Sequence, residues 1–82
     1  MMIEEQTKNW LATRFGINPE SILWFNSGIC YDRVIVATKE DSQKVSEFVK
    51  DGTVNGGWFH GMPLGLQSNV NYDGKPAYEV MC

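Results

Sequence analysis

Three residues have chemically active side chains: Cys30 and Asp32, which have one residue between them, and the single histidine, His60, much further along the chain. A cysteine deprotonated by a histidine, which a carboxylate orients in turn, is the arrangement of a thiol nucleophile. No local spacing groups these three residues, and such triads are recognised by their geometry. The sequence therefore favours a structural or exposed histidine, and we predict a protein that is not an enzyme.

Zinc would have to use the same histidine together with Cys30 and Cys82. Structural zinc sites usually take their ligands from closely spaced pairs such as Cys-x-x-Cys, and the chain contains no such pair. Two cysteines are also too few for a disulfide framework. We therefore expect no metal, no cofactor and free thiols.

The segment 52–65, GTVNGGWFHGMPLG, holds five of the eight glycines and no charged residue. Long glycine-rich loops are uncommon in small domains unless they have a function or are disordered, and disordered segments contain few aromatic residues. The segment is therefore the first place to expect function. In it we predict that the contacts to a partner are made by Asn55, Trp58, Phe59, His60 and Met62.

The same segment has other interpretations. Trp58 and Phe59 are either an exposed recognition tip or a lid that folds back over the core. Backbone N–H groups of Asn55-Gly56-Gly57 would suit an anion, although a plain turn explains that tripeptide better. A small-molecule or nucleotide sequestering domain, with segment 52–65 as its pocket, is the alternative function.

The charge pattern disfavours several classes of partner. The formal net charge is −3, and the seven Lys and Arg residues form no basic stripe, so no direct nucleic-acid binding is expected. No apolar run approaches the length of a membrane helix, and residues 1–6 do not resemble a signal peptide. We predict a cytoplasmic protein with no membrane partner.

Apolar spacing predicts two helices. Residues 3–15 place Trp10, Leu11 and Phe15 near the helical period, and Gly16 has the position of a left-handed residue after the helix end. Residues 39–50 form the second helix, which Thr38 and Asp41 begin as a capping box with a shorter acid. Its apolar stripe is Val45, Phe48 and Val49.

Four strands are predicted at 21–27, 29–37, 64–71 and 77–81. Asp73-Gly74 is typical of a two-residue type I′ hairpin turn. That turn places Val70 opposite Ala77 and leaves Tyr78 and Val80 on the face of Asn69 and Gln67. Apolar and polar residues on one face require either a bulge at the turn or partial cover of that face.

The resulting order, α-β-β-α-loop-β-β, predicts one α+β domain over residues 1–82. Its four-stranded, mainly antiparallel sheet carries two helices on one face. The other face must then carry either Ile22 and Trp24 or Leu23 and Phe25. We expect an apolar patch centred on Trp24 that binds a second copy, as a homodimer through the open sheet face, or another partner.

The leading functional hypothesis is a small non-enzymatic binding protein that docks on a protein or protein complex. Small acidic domains without catalytic residues are typical of phage- or plasmid-encoded inhibitors of host or defence machinery, anti-CRISPR proteins among them. That analogy is one of kind and depends on no shared motif.

Overall fold

The structure is a computed structural model that describes residues 4–28, 32–51, 58–59 and 62–82, with the backbone alone at 58–59 and 62–63. The helices are α1 (Glu5–Phe15) and α2 (Lys39–Asp51), and a short 3₁₀ turn covers Pro19–Ser21. The strands are β1 (Ile22–Ser27), β2 (Asp32–Val36), β3 (Trp58–Phe59), β4 (Met62–Pro63), β5 (Gln67–Tyr72) and β6 (Lys75–Met81).

Four of the strands form one antiparallel sheet in the order β1-β2-β6-β5. The predicted α+β class with a four-stranded antiparallel sheet is confirmed. Strands β3 and β4 pair only with each other, antiparallel. The segment predicted to be a loop therefore contains a short two-stranded ribbon, which its sequence did not indicate because each strand has two residues.

Local sequence rules set the ends of both helices. Gly16 has φ 72°, in the left-handed region, and its N–H donates to the carbonyl of Ala12 at the end of α1. Ile17, which follows, packs against the core. The Thr38 hydroxyl accepts from the N–H of Asp41 at 3.1 Å, which is the first half of the predicted capping box.

The β5–β6 hairpin has the predicted turn. Asp73 and Gly74 both have positive φ, 53° and 78°, as a type I′ turn requires. Val70 pairs with Ala77 as predicted. A bulge does occur, at the far end of the hairpin rather than at the turn: Gly65, with φ 83°, donates its N–H to the carbonyl of Met81.

One hydrophobic cluster contains buried residues of both helices and of the sheet. Its sheet residues include Val34, Val36 and Val80, which define the core face of the sheet. Ser42 of α2 donates to the Gln67 amide oxygen at 2.9 Å, so the core face also carries the polar residues of β5. The apparent conflict in the hairpin is thus explained by cover of its polar face.

The opposite side of the sheet, called the Trp24 face, carries Trp24, Arg33, Ile35 and Glu79 by strand alternation and register. The pairing of β1 with β2 shifts between Ile22 and Trp24. Because of this shift, Ile22 and Phe25 both contact the core. Neither predicted pairing of outward residues is therefore correct, since a regular strand cannot place residues three apart on one face.

In the described part of the chain, no helix has the length and apolar character needed to cross a membrane.

Candidate functional site

The structure places only part of the predicted glycine-rich site. Asn55 and His60 lie outside the described residues. The backbones of Trp58 and Phe59 pair with those of Pro63 and Met62 in the β3–β4 ribbon. Whether the two aromatic residues form a lid or a recognition tip stays a prediction.

Trp24 lies half-buried on the Trp24 face. The guanidinium of Arg33 stands 5.5 Å from the centroid of its ring, a distance that allows a cation–π contact. Ile35, which pairs with Trp24 across the strands, has only 8% of its surface exposed. The centre of this face therefore offers less accessible apolar surface than its sequence predicts.

Arg33 also joins two strands of the sheet. Its Nε and Nη2 donate to the two carboxylate oxygens of Glu79 at 3.2 and 2.9 Å. This fork-to-fork geometry fixes the planes of both groups. The Arg33 guanidinium thereby links Trp24 of β1 to Glu79 of β6.

A second aromatic group lies on the outer surface of the helices. Trp10 is 59% exposed and Phe48 is 38% exposed, although the apolar spacing predicted both as core residues. The Arg14 guanidinium lies 4.7 Å from the ring centroid of Trp10 and 5.5 Å from that of Phe48. We call Trp10, Arg14 and Phe48 the aromatic clamp.

The aromatic clamp borders a groove of about 310 Å³ between α1 and α2. Phe15 meets the ring of Phe48 edge to face, with centroids 5.5 Å apart, and so connects the clamp to the core. The other lining residues come from five parts of the chain: Leu11, Phe25, Asp32, Val49 and Cys82. The groove is therefore mainly apolar, with one cation and one acid in its lining.

The acid in that lining, Asp32, is hydrogen-bonded to the end of β1 and to the residue that follows it. The carboxylate of Asp32 accepts from the hydroxyl of Ser27 at 3.1 Å and from the N–H of Gly28 at 3.3 Å. Its carbonyl accepts from the N–H of Cys82 at 2.8 Å. Burial, and then the nearby Asp32 carboxylate, raises the pKa of the Cys82 thiol to about 12. The thiol is thus protonated at neutral pH and is a poor nucleophile.

The catalytic and metal hypotheses involve Cys30 and His60, which lie outside the described residues. Within the described ranges, no group of three or more His, Cys, Asp or Glu residues is placed to hold a metal ion.

Sequence reasoning missed the aromatic clamp because Trp10 and Phe48 fit the helical period of the core residues. A signal was present in the spacing of Trp10 and Arg14. Residues four apart on a helix lie on the same face, and an arginine beside a tryptophan indicates a surface position more than a core position.

Comparisons of the chain with protein-family models, with curated proteins and with solved structures found no match. We therefore infer the function from the geometry of the chain itself.

Proposed function

We propose that this protein is a non-enzymatic binding protein that docks on another protein through the aromatic clamp and the groove beside it. The observation that carries the proposal is the exposure of Trp10, at 59%, next to an arginine whose guanidinium lies near the rings of both Trp10 and Phe48. Tryptophan and arginine are among the residues most enriched at the energetic centres of protein interfaces.

The residues of the clamp contact one another, and Phe15 behind them, in the protein without a partner. The Arg14 guanidinium lies 4.7 Å from the centroid of Trp10 and 5.5 Å from that of Phe48, and Phe48 meets Phe15 edge to face. Side chains that are already fixed lose less entropy on binding, which leaves more of the interaction energy for affinity. These contacts favour a binding role for Trp10 over the alternative that its exposure has no function.

The chemistry of the groove indicates the kind of segment that would fit. Its lining of Leu11, Phe15 and Val49 suits an apolar side chain from the partner. The Arg14 guanidinium has several N–H donors, for which a carboxylate is the preferred acceptor. We therefore propose a protein segment in which an apolar anchor lies close to an acidic residue.

The finer function that we propose is inhibition of the bound protein in the cytoplasm, of the kind that phage- or plasmid-encoded inhibitors perform. The small size and the net charge of −3 support that analogy. A protein of this kind acts by occupying a surface that its target needs.

Comparative capture from cells of the native host tests the docking proposal. The baits are the wild-type chain, Trp10→Ala and the control Leu66→Ala, which truncates another exposed apolar side chain, 49% exposed and outside the groove lining. We expect one stoichiometric protein to be retained by wild type and Leu66→Ala and lost by Trp10→Ala. Its measured affinity should fall by at least about 30-fold, as loss of a central anchor implies.

Equal affinity of wild type and Trp10→Ala for that protein would show that the clamp is not the docking surface. Melting temperatures of all three baits accompany the measurement. Since Trp10 is mainly exposed, its truncation should leave the fold nearly as stable as before.

The groove volume also favours a second candidate function, sequestration of a small apolar molecule. Its 310 Å³ falls at the lower end of the range of small-molecule pockets, about 300–1,000 Å³. Native mass spectrometry of protein purified from its host would then show a retained ligand that Val49→Trp, which fills the groove, excludes.

A further inference from the structure

Strand β5 has one side without a partner strand among the described residues, because it lies at the end of the sheet. In a two-residue hairpin the residues that flank the turn, here Tyr72 and Lys75, form a hydrogen-bonded pair. The backbone N–H and C=O groups of the residues in between then point away from the partner strand. The N–H and C=O groups of Gln67, Asn69 and Asn71 are therefore directed away from β6.

The other end of the hairpin confirms this alternation. The N–H of Met81 donates to the carbonyl of Leu66 at 3.0 Å, so Leu66 directs its backbone toward β6, as Tyr72 does. Residues of even number in β5 thus bond within the sheet, and those of odd number form the free edge.

This edge lacks the features by which proteins usually prevent strand pairing. Such features are lysine, proline, an inward charge or a bulge within the strand. Residues 67–72, QSNVNY, contain no charge and no proline, and their register with β6 is regular throughout. The glycine bulge at Gly65 lies before the strand begins.

We propose that two copies of this chain join their β5 edges antiparallel, about a twofold axis that passes beside Asn69. In this register Asn69 pairs with Asn69 of the second copy, and Gln67 pairs with Asn71 of the second copy. All three residues with free backbone groups are then paired on each chain, and the two four-stranded sheets become one continuous sheet. This surface is separate from the groove of the proposed function.

Side chains support the same register. Leu66, 49% exposed, comes opposite the half-buried Tyr72 of the second copy on the Trp24 face, and this contact covers an apolar group that the monomer leaves in water. On the core face, Gln67 lies opposite Asn71 of the second copy. Amides both donate and accept, so each is complementary to another amide.

Electrostatics at the β5 edge permit pairing with a second copy. The chain carries a net charge of −3, which opposes self-association in general. The β5 strand itself contains no charged residue, so no like charges meet across the axis. The strand is thus neutral where two identical acidic proteins would come closest.

A charge swap at the axis tests both the dimer and its register. Pairing of one strand edge with another makes a small interface, and small interfaces belong to weak complexes. Sedimentation velocity is therefore measured at protein concentrations from about 10 µM to 1 mM. Wild type should dimerise over this range. Asn69→Asp and Asn69→Lys each place like charges about 5 Å apart across the axis, and each should weaken the dimer at least about tenfold.

An equimolar mixture of Asn69→Asp and Asn69→Lys should dimerise again, because opposite charges now meet at the axis. Asn26→Asp, on the exposed end of the other edge strand, is the matched control and should dimerise like wild type.

A wild-type chain that is monomeric up to 1 mM overturns the proposal, as does a dimer that the Asn69 variants leave intact or that their mixture fails to restore. Circular dichroism of each variant distinguishes loss of the dimer from loss of the fold. Binding at the aromatic clamp is measured at nanomolar concentration, so failure of either proposal leaves the other open.

Discussion

The two edge strands of the sheet are held in place by different means. In β1, Ile22 is 1% exposed, Phe25 packs against the core, and Trp24 lies under Arg33. In β5 no residue is buried. Its place depends on the hairpin turn, on the bulge at Gly65 and on one hydrogen bond from Ser42. The first edge is anchored by side chains and the second by backbone conformation.

The two edges that are anchored in these different ways also differ in the regularity of their strand pairing. In β1 both Ile22 and Phe25 reach the core, and the irregular register of this strand allows it. A strand positioned by its backbone stays regular, so its free groups keep the spacing that another strand needs. Regularity at an exposed edge is therefore informative about association.

The largest expected effect follows from truncation of a buried side chain in β1. Ile22→Ala should lower the free energy of unfolding by about 2–5 kcal/mol, as loss of a fully buried aliphatic group usually does. Val70→Ala, the corresponding truncation in β5, should cost less than about 1 kcal/mol because Val70 is only half-buried. Urea denaturation of both variants measures the contrast, and equal losses would contradict it.

Substitutions that strain the backbone should lower stability more at β5 than truncation of its side chains does. Gly65 has φ 83°, and an added Cβ would lie 3.1 Å from atoms of Lys50 and Ser46. Gly65→Ala should cost roughly 1–3 kcal/mol from the strained conformation, with a further loss from crowding. Gly16→Ala is the control, because Gly16 also has positive φ but has no atom within 4 Å of an added Cβ. Thermal unfolding should rank Gly65→Ala as the more damaging change.

The side-chain hydrogen bond that links β5 to α2 should contribute about 1 kcal/mol. Ser42 is fully buried, and its hydroxyl lies 2.9 Å from the Gln67 amide oxygen and 2.7 Å from the carbonyl of Lys39. We expect Ser42→Ala to lose about that amount. A double-mutant cycle with Gln67→Ala isolates the bond to β5; a coupling energy of zero would mean that Ser42 acts only within α2.

The smallest effect is expected for the ion pair between Arg33 and Glu79, whose arginine lies over the ring of Trp24. Glu79→Gln removes the charge that pairs with Arg33, at 2.9 Å between Nη2 and Oε2. Because the Arg33 side chain is 44% exposed, the expected loss is about 0.2–1 kcal/mol. The loss should shrink between about 0.05 and 1 M salt, since screening weakens exposed pairs. A loss independent of salt would indicate a packing role instead.

Elements defined by neighbouring residues could be predicted from the sequence. The left-handed Gly16, the Thr38 cap and the turn at Asp73-Gly74 each follow from the conformations that a few adjacent residues favour. Both helices and the hairpin register were predicted for this reason.

Features that depend on distant residues could not be predicted in the same way. The shift in β1 is set by the need to bury both Ile22 and Phe25 against residues of other elements. The exposure of Trp10 and Phe48 depends on how the two helices meet, because helical spacing is the same for a core residue and its neighbour on the surface. The aromatic clamp was missed for this physical reason.

The position of β6 has a consequence for the way the protein is made. This strand, Lys75–Met81, lies between β2 and β5, so it is the last strand of the sheet to be synthesised and also one of its two inner strands. On the ribosome, β1 and β2 are complete well before the strand that joins them to β5 exists. Pairing of Arg33 with Met81 must close a long loop, which slows folding. The four-stranded sheet is therefore complete only after translation has passed residue 81, and until then the inner edge of β2 lacks the strand with which it pairs in the folded protein.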